Sequence, residues 1–357
     1  MRVLLIGGSG FIGPFVAEHL VADGHEVTGF HRGLGRMPMP SRIRHLYGDR
    51  QRLPDQRPVF EKLAPDVVVD FILSSRRQAA ALMETFRGIT GRVVAISSQD
   101  VYRACGILHG FEEGPLQPLP IEEDSELRTH PSVYSPQVLD KLRQSFPWLD
   151  DEYDKIPVER AVLGHPALPG TVLRLPMLYG PGDPLHRLFP ILKRIDDKRP
   201  AILIQEDAAG WRGPRGYVEN VAAGIALATV SPEAAGRIYN LGEAEPFSEL
   251  GWTQRVARAA GWRGRIVSLP KDRMPLHLRV SYRMDQHWVV STRRIRDELG
   301  FSERVALQQA LARTIEWERA NPPAPVDPAE FNYAAEDAAL AAAEPGEITE
   351  FAPDSVR

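Results

Sequence analysis

Residues 2–13 read RVLLIGGSGFIG: a short run of leucine and β-branched residues ends at Ile6 and gives way at once to glycines at positions 7, 10 and 13. Beyond them Phe15, Val16, Leu20 and Val21 recur at helical spacing, so the turn joins a strand to a helix. Glycine serves where a backbone must turn tightly and where main-chain N–H groups must come close to a phosphate. The first N–H groups of the following helix add unclaimed donors and the positive end of its dipole. The stretch therefore predicts a pyrophosphate cradle for a dinucleotide, built on Gly7, Gly10, Phe11, Ile12 and Gly13.

Five more runs follow at intervals: HEVTGF (25–30), IRHLYGD (43–49), DVVVDFI (66–72), RVVAIS (92–97) and TVLRL (171–175). Their apolar residues are continuous rather than alternating, as expected of strands covered on both faces in a parallel sheet. Alternation with helical segments predicts an α/β fold: a Rossmann-type doubly wound parallel sheet over residues 1–175, with a smaller C-terminal α+β substrate domain over 176–321. Residues 218–242 are apolar enough to return to the sheet domain. Residues 98–150 lose periodicity and read as a functional or partly mobile loop. Residues 322–357, rich in Ala and Pro, hold eight acidic side chains and one basic one, and read as a mobile or loosely docked tail in which EDAALAAAE (336–344) forms a short helix where it packs against something.

The second strand should end beside the adenosine ribose, where a carboxylate commonly binds the 2′-hydroxyl. His31 and Arg32 stand there instead, with Arg36 four residues on. A guanidinium suits a 2′-phosphate, so NADP is expected over NAD; the competing reading makes both arginines solvated loop charges. Asp49, closing the third strand, is placed to accept from the adenine amino group, although aspartate is common in such turns anyway.

Forty-three basic and 47 acidic side chains leave a net charge of -4 and no basic stripe, which argues against nucleic acid or anionic lipid and for a small-molecule substrate. Cys105 is the one cysteine, so no internal disulfide forms. No apolar run reaches membrane-spanning length and no cleavable leader is read, so the expected location is the cytoplasm. The ten histidines lack metal-ligand spacing, and no metal site is expected.

On RVLLIGGSGFIG, ISSQDVY (96–102), LRLPMLYGPGD (173–183), RGYVENVA (215–222), IYNLG (238–242) and STRRIRDELGF (291–301), the chain resembles the extended short-chain dehydrogenase/reductase family, the NAD(P)-dependent epimerase/dehydratase group. The resemblance implies an NADP(H)-dependent oxidoreductase, epimerase or dehydratase acting on a sugar nucleotide or a related alcohol or ketone, commonly as a homodimer. It places the catalytic serine at Ser98 and the ribose-binding lysine at Lys155. Pro176 and Leu178 would flank the nicotinamide, and Tyr179, Asp183 and Arg215 would face the substrate.

The family tyrosine lies four residues before the lysine, which here is Asp151. Tyr153 is only two positions away, about 200° around a helix, and cannot meet the lysine through helical geometry. Pro157 fits within the first turn of a helix that Asp154 caps and Lys155 begins, leaving Tyr153 in the preceding loop. Three readings stay open: Tyr153 reaches the site from that loop, Asp151 or Glu152 replaces it, or the protein binds cofactor without turnover, as a scaffold or an RNA-binding regulator.

Overall fold

The computed structural model describes residues 1–33, 37–131, 134–342 and 349–352. Seven strands form one parallel sheet: β1 (Arg2–Ile6), β2 (Glu26–His31), β3 (Arg44–Tyr47), β4 (Val67–Asp70), β5 (Arg92–Ser98), β6 (Gly170–Leu175) and, from far along the chain, Ile238–Asn240. Across the sheet that late strand lies beside β6, followed by β5, β4, β1, β2 and β3. The doubly wound sheet expected from the sequence is present. The chain leaves β1 toward β2 on one side and returns to β4 on the other, so the strand order reverses at β1. A crevice opens there, beyond the strands' carboxyl ends.

The continuous apolar runs have a direct cause. Val3, Leu5, Val67, Val69, Val94 and Ile96 point into one core, while Leu4, Ile6, Val68, Val93 and Ala95 point into another. On the first face, α1 (Gly13–Ala22) contributes Val16 and Leu20, and the helix Val218–Val230 contributes Val221 and Ile225. On the second face the covering helices are α2 (Arg57–Leu63), α3 (Arg76–Phe86) and a later helix that carries Val158 and Val162. Helices on both sides leave no polar face to alternate with.

The described residues of 98–150 hold secondary structure of their own. They hold α4 (Arg103–Leu108), α5 (Pro136–Ser145) and an irregular path through the interior. Arg128 Nε donates to Asp100 O at 3.0 Å, Gln117 accepts from Ala104 N at 2.6 Å and donates to Glu126 O at 2.8 Å, and Arg103 donates to Pro115 O at 2.8 Å. Side chains satisfy the buried backbone here, which is why no periodic pattern marks the segment. The chain then enters α6 (Lys155–Leu163), the helix that carries Val158 and Val162.

The smaller lobe is built around β7 (Met177–Tyr179), β8 (Ala201–Gln205), β9 (Arg215–Tyr217), β10 (the edge strand Ile238–Asn240 of the large sheet, which interrupts it), β11 (Arg265–Leu269) and β12 (Thr349–Phe351). β7 pairs with β9, and β11 lies between β8 and β12. The described part of the acidic tail is docked on the lobe, and the segment from Glu336 to Ala342 is helical. Tyr333–Ala342 is a helix whose buried Glu336 meets Arg194 at 2.6 Å and His277 at 3.1 Å, and β12 pairs antiparallel with β11. The tail's acidity answers basic residues of the lobe: Arg194, Arg199 and Arg265 each hold one of its carboxylates. Among the described residues no helix is long and apolar enough to cross a membrane.

Candidate active site

At the reversal beside β1 the glycine turn has the shape its sequence predicts. Gly7 has φ of 73°, and a Cβ there would lie 2.6 Å from Ile72 Cγ2. A Cβ on Gly13 would fall 2.0 Å from Gly8 O, so only glycine lets α1 start against the turn. Gly10 differs: an added Cβ would come no nearer the protein than 3.6 Å. Packing does not demand that glycine, yet it leaves bare backbone on a cavity of about 1020 Å³ that Gly7, Phe11, Ile12 and Gly13 also line. No side chain caps α1. A steric cradle, an uncapped helix start and an unobstructed approach together fit a dinucleotide pyrophosphate.

At the ribose end His31 Nδ1 accepts from Gly33 N at 3.0 Å, which leaves Nε2 as the donor to His45 Nδ1 at 2.9 Å. Burial and then the neighbouring His45 hold the His31 pKa below its ordinary value, consistent with this neutral ring. Arg32 is exposed and lines the same cavity; Arg36 lies outside the described residues. Asp49 also lines it, but its Oδ1 is already accepting from Gln51 N at 2.9 Å as the cap of a 3-10 turn.

Ser98 ends β5 and its Oγ accepts from Asp100 N at 3.2 Å. Asp154 caps α6, accepting from Ile156 N at 3.1 Å, so the helix begins at Lys155 and Tyr153 stands outside it. Lys155 is 3% exposed; its Nζ donates to Leu73 O and, at 3.0 Å, to Ile96 O. The Tyr153 ring centre lies 6.0 Å from that nitrogen, and the phenol donates to Asp100 Oδ2 at 2.8 Å. Tyr134 reaches the same oxygen at 3.3 Å, while Asp100 Oδ1 is buried with no partner. Burial first, and the Asp100 carboxylate second, push the Tyr153 phenol well above its ordinary pKa.

Ser98, Tyr153 and Lys155 thus line one cavity, together with Asp100 and Tyr134, which the sequence reading missed. The Asp100 signal was present in SSQD, two residues after Ser98. Asp151 does not belong to this group. Its side chain is 96% exposed and pairs with Arg143 at 3.0 Å, because α6 starts only at Lys155 and the four-residue helical relation to the lysine never forms. Glu152 is likewise exposed.

On the other side, Pro176, Leu178 and Tyr179 line the cavity, and the Tyr179 phenol donates to Glu243 Oε1 at 2.7 Å. Arg215 is on the wall, paired with Glu249 and 5.0 Å above the Trp252 ring. Asp183, expected on the substrate side, is absent from the wall. It is fully buried and holds its own turn, accepting from Leu185 N at 3.0 Å, Arg187 N at 3.1 Å and Arg187 Nη1 at 2.8 Å.

Burial lowers the Lys155 pKa to about 8 from the ordinary 10.5. Between these values the unfolded chain keeps a proton that the folded chain has released, so unfolding free energy rises with pH across that window. The cost of the buried charge is present in full below pH 8. Lys155→Met removes the cost. Its stability advantage over the parent, read from denaturant midpoints, is expected to be greatest below pH 8 and to shrink toward pH 10.5. Parallel pH profiles for the two proteins would refute it.

A doubly wound sheet with a glycine turn at its reversal, and a serine, tyrosine and lysine beyond it, is a Rossmann-type architecture. The NAD dependent epimerase/dehydratase family has a model that matches residues 3–105. The chain is 24% identical over 279 residues to the 2′-dehydrokanamycin reductase of Streptomyces kanamyceticus, covering 76% of this chain and 70% of that one. It is 29% identical over 130 residues to the chloroplast stem-loop binding protein of 41 kDa b of Arabidopsis thaliana, covering 33% of this chain and only 34% of that relative's length. Its fold is similar to that of a Bacillus anthracis dTDP-glucose 4,6-dehydratase solved in complex with NAD, with a TM-score of 0.64, 16% identity and coverage of 90% of this chain and 97% of the other.

Proposed function

We propose that the protein is an NADP(H)-dependent oxidoreductase that interconverts a ketone and an alcohol, working with Tyr153 as proton donor. The observation that carries this reading is the Tyr153 phenol, bonded to Asp100 at 2.8 Å, in the same cavity as the glycine cradle and Lys155. Gly7 to Gly13 would hold the pyrophosphate, Arg32 the 2′-phosphate and Lys155 the nicotinamide ribose, between Pro176 and Leu178. Bound there, the nicotinamide supplies or accepts a hydride at C4.

The chain's own residues manage the oxygen. Ser98 at the end of β5 orients a substrate carbonyl by hydrogen bonding, and Tyr153 delivers the proton that the developing alkoxide needs. Burial, and then the Asp100 carboxylate, raise the phenol's pKa, so Tyr153 rests protonated and gives up its proton only to a strong base such as the developing alkoxide. This division of labour differs from one in which a lysine four residues away lowers the tyrosine's pKa to make a base. Asp100 sets the opposite bias.

The cofactor choice rests on Arg32 and on the absence of a carboxylate at the end of β2. Arg32→Glu is expected to weaken NADPH binding by about 10–100-fold, the worth of one charge-assisted hydrogen bond, with NADH affinity unchanged. Fluorescence titration of both cofactors reads this directly. An equal loss for NADH would remove the assignment.

A further inference from the structure

We infer that the substrate is an uncharged, largely apolar ketone or secondary alcohol, and not a sugar joined to a nucleoside diphosphate. The inference rests on the hydride-transfer reading above and names the substrate class of that site. Its first support is the wall beyond the nicotinamide position, where Leu108, Met177, Leu203, Trp211, Met274 and Trp288 line the cavity. The Trp211 indole N–H is already spent on Gln286 O at 2.9 Å, so that ring offers the cavity an apolar surface.

The second support is charge. Three arginines stand on this side of the wall, and each already holds a carboxylate: Arg187 with Asp183 at 2.8 Å, Arg194 with Glu336 at 2.6 Å, and Arg215 with Glu249. Asp183 and Glu336 are buried, and Arg194 spends further donors on Pro190 O and Glu330 O. A diphosphate at any of the three would meet a guanidinium whose charge a neighbouring carboxylate already answers, and would bring its own negative charge beside that carboxylate. A neutral ligand leaves all three pairs intact.

The third support is α5. Val138, Leu139, Leu142 and Ser145 line the cavity, followed by Phe146 just past the helix end, while Asp140, Lys141, Arg143 and Gln144 lie between them off the wall. This is the spacing of one helical stripe, apolar but for Ser145. No residue of α5 is fully buried: Val138 is exposed, and Leu139 and Leu142 are half-buried where they line the cavity. An apolar occupant between α5 and the Trp211 wall would cover both.

The reaction balances with groups already named. The carbonyl carbon gains the hydride from the reduced nicotinamide, the carbonyl π pair takes the Tyr153 proton, and solvent reprotonates the phenolate. The test is calorimetry on the full chain with NADP⁺ present, titrating 1-indanone, 2-decanone, UDP and UDP-glucose. Heat from at least one ketone and none from UDP or UDP-glucose is the expected result. Leu142→Glu, on the stripe, should weaken ketone binding at least about tenfold, and Lys141→Glu, off the stripe, should not. Glu249→Gln frees Arg215 and should raise UDP affinity at least about tenfold.

Saturable UDP or UDP-glucose binding to the parent, or no heat from either ketone, overturns the apolar assignment. So does a Leu142→Glu variant that binds ketone as the parent does. The hydride reading fails separately: ketones that bind while NADPH stays unoxidised overturn it alone.

Discussion

Tyr153→Phe lowers the rate of NADPH-dependent ketone reduction by about 10²–10⁴-fold at neutral pH, the usual worth of a positioned proton donor, and leaves NADPH affinity unchanged. The ring stays in place, since its contacts with Tyr134 and the Lys155 side do not involve the hydroxyl. What disappears is the closer of the two phenol protons that the cavity wall directs at Asp100. Asp100 then keeps only the 3.3 Å bond from Tyr134 and its already unpartnered Oδ1, so the variant also loses about 1–3 kcal/mol of stability from a buried acceptor left unsatisfied. Single-turnover kinetics separates the two effects, because a fully folded and cofactor-loaded variant that remains slow has lost a proton donor rather than a fold. A rate within a factor of a few of the parent would sink the assignment of Tyr153 and return the site to cofactor binding alone.

The parts of this protein legible in its sequence are those where local geometry leaves one residue type no alternative. Gly7 and Gly13 could be read because a side chain at either would collide with Ile72 or with the turn's own backbone. The inner strands β1, β4 and β5 could be read because helices cover both faces of the sheet and leave their runs almost wholly apolar. The edge position of Ile238–Asn240 could not, since three residues carry no period and only pairing with β6 fixes their place. Asp100 and Tyr134 escaped for a similar reason. They meet through a 34-residue excursion whose buried backbone is held by Arg128, Gln117 and Arg103 rather than by a ladder. Asp151 and Asp183 were misplaced because spacing is informative only inside a regular element. Asp151 precedes the helix start, and Asp183 turns back onto its own loop.

Glu159→Gln is expected to destabilise the protein by about 3–5 kcal/mol, because it strips the counter-charge from a buried arginine. Arg174 is 2% exposed one residue before the end of β6, its Nε and Nη2 donating to the two Glu159 oxygens at 2.9 and 2.7 Å. Its Nη1 bonds Tyr102 Oη at 2.9 Å and Glu123 O at 2.8 Å, so the guanidinium cannot follow a lost partner toward water. With an unfolding entropy of about 2.1 cal/mol/K per residue over 357 residues, the cost corresponds to a fall of roughly 4–7 °C in Tm. The same pair positions the site. Glu159 also accepts from Ser97 Oγ at 2.6 Å, and it lies one helical turn after Lys155 on α6, so it ties the helix bearing the lysine to the strand bearing Ser98. Activity should therefore fall along with stability. Replacing both partners, Glu159→Met with Arg174→Met, should recover most of the stability, since no buried charge is then left alone, but not the activity, because the tie between α6 and β5 is still missing. Calorimetric Tm values and kcat for the single and double variants test both halves. A double variant as unstable as the single one would show that packing, rather than the ion pair, holds α6 against the sheet.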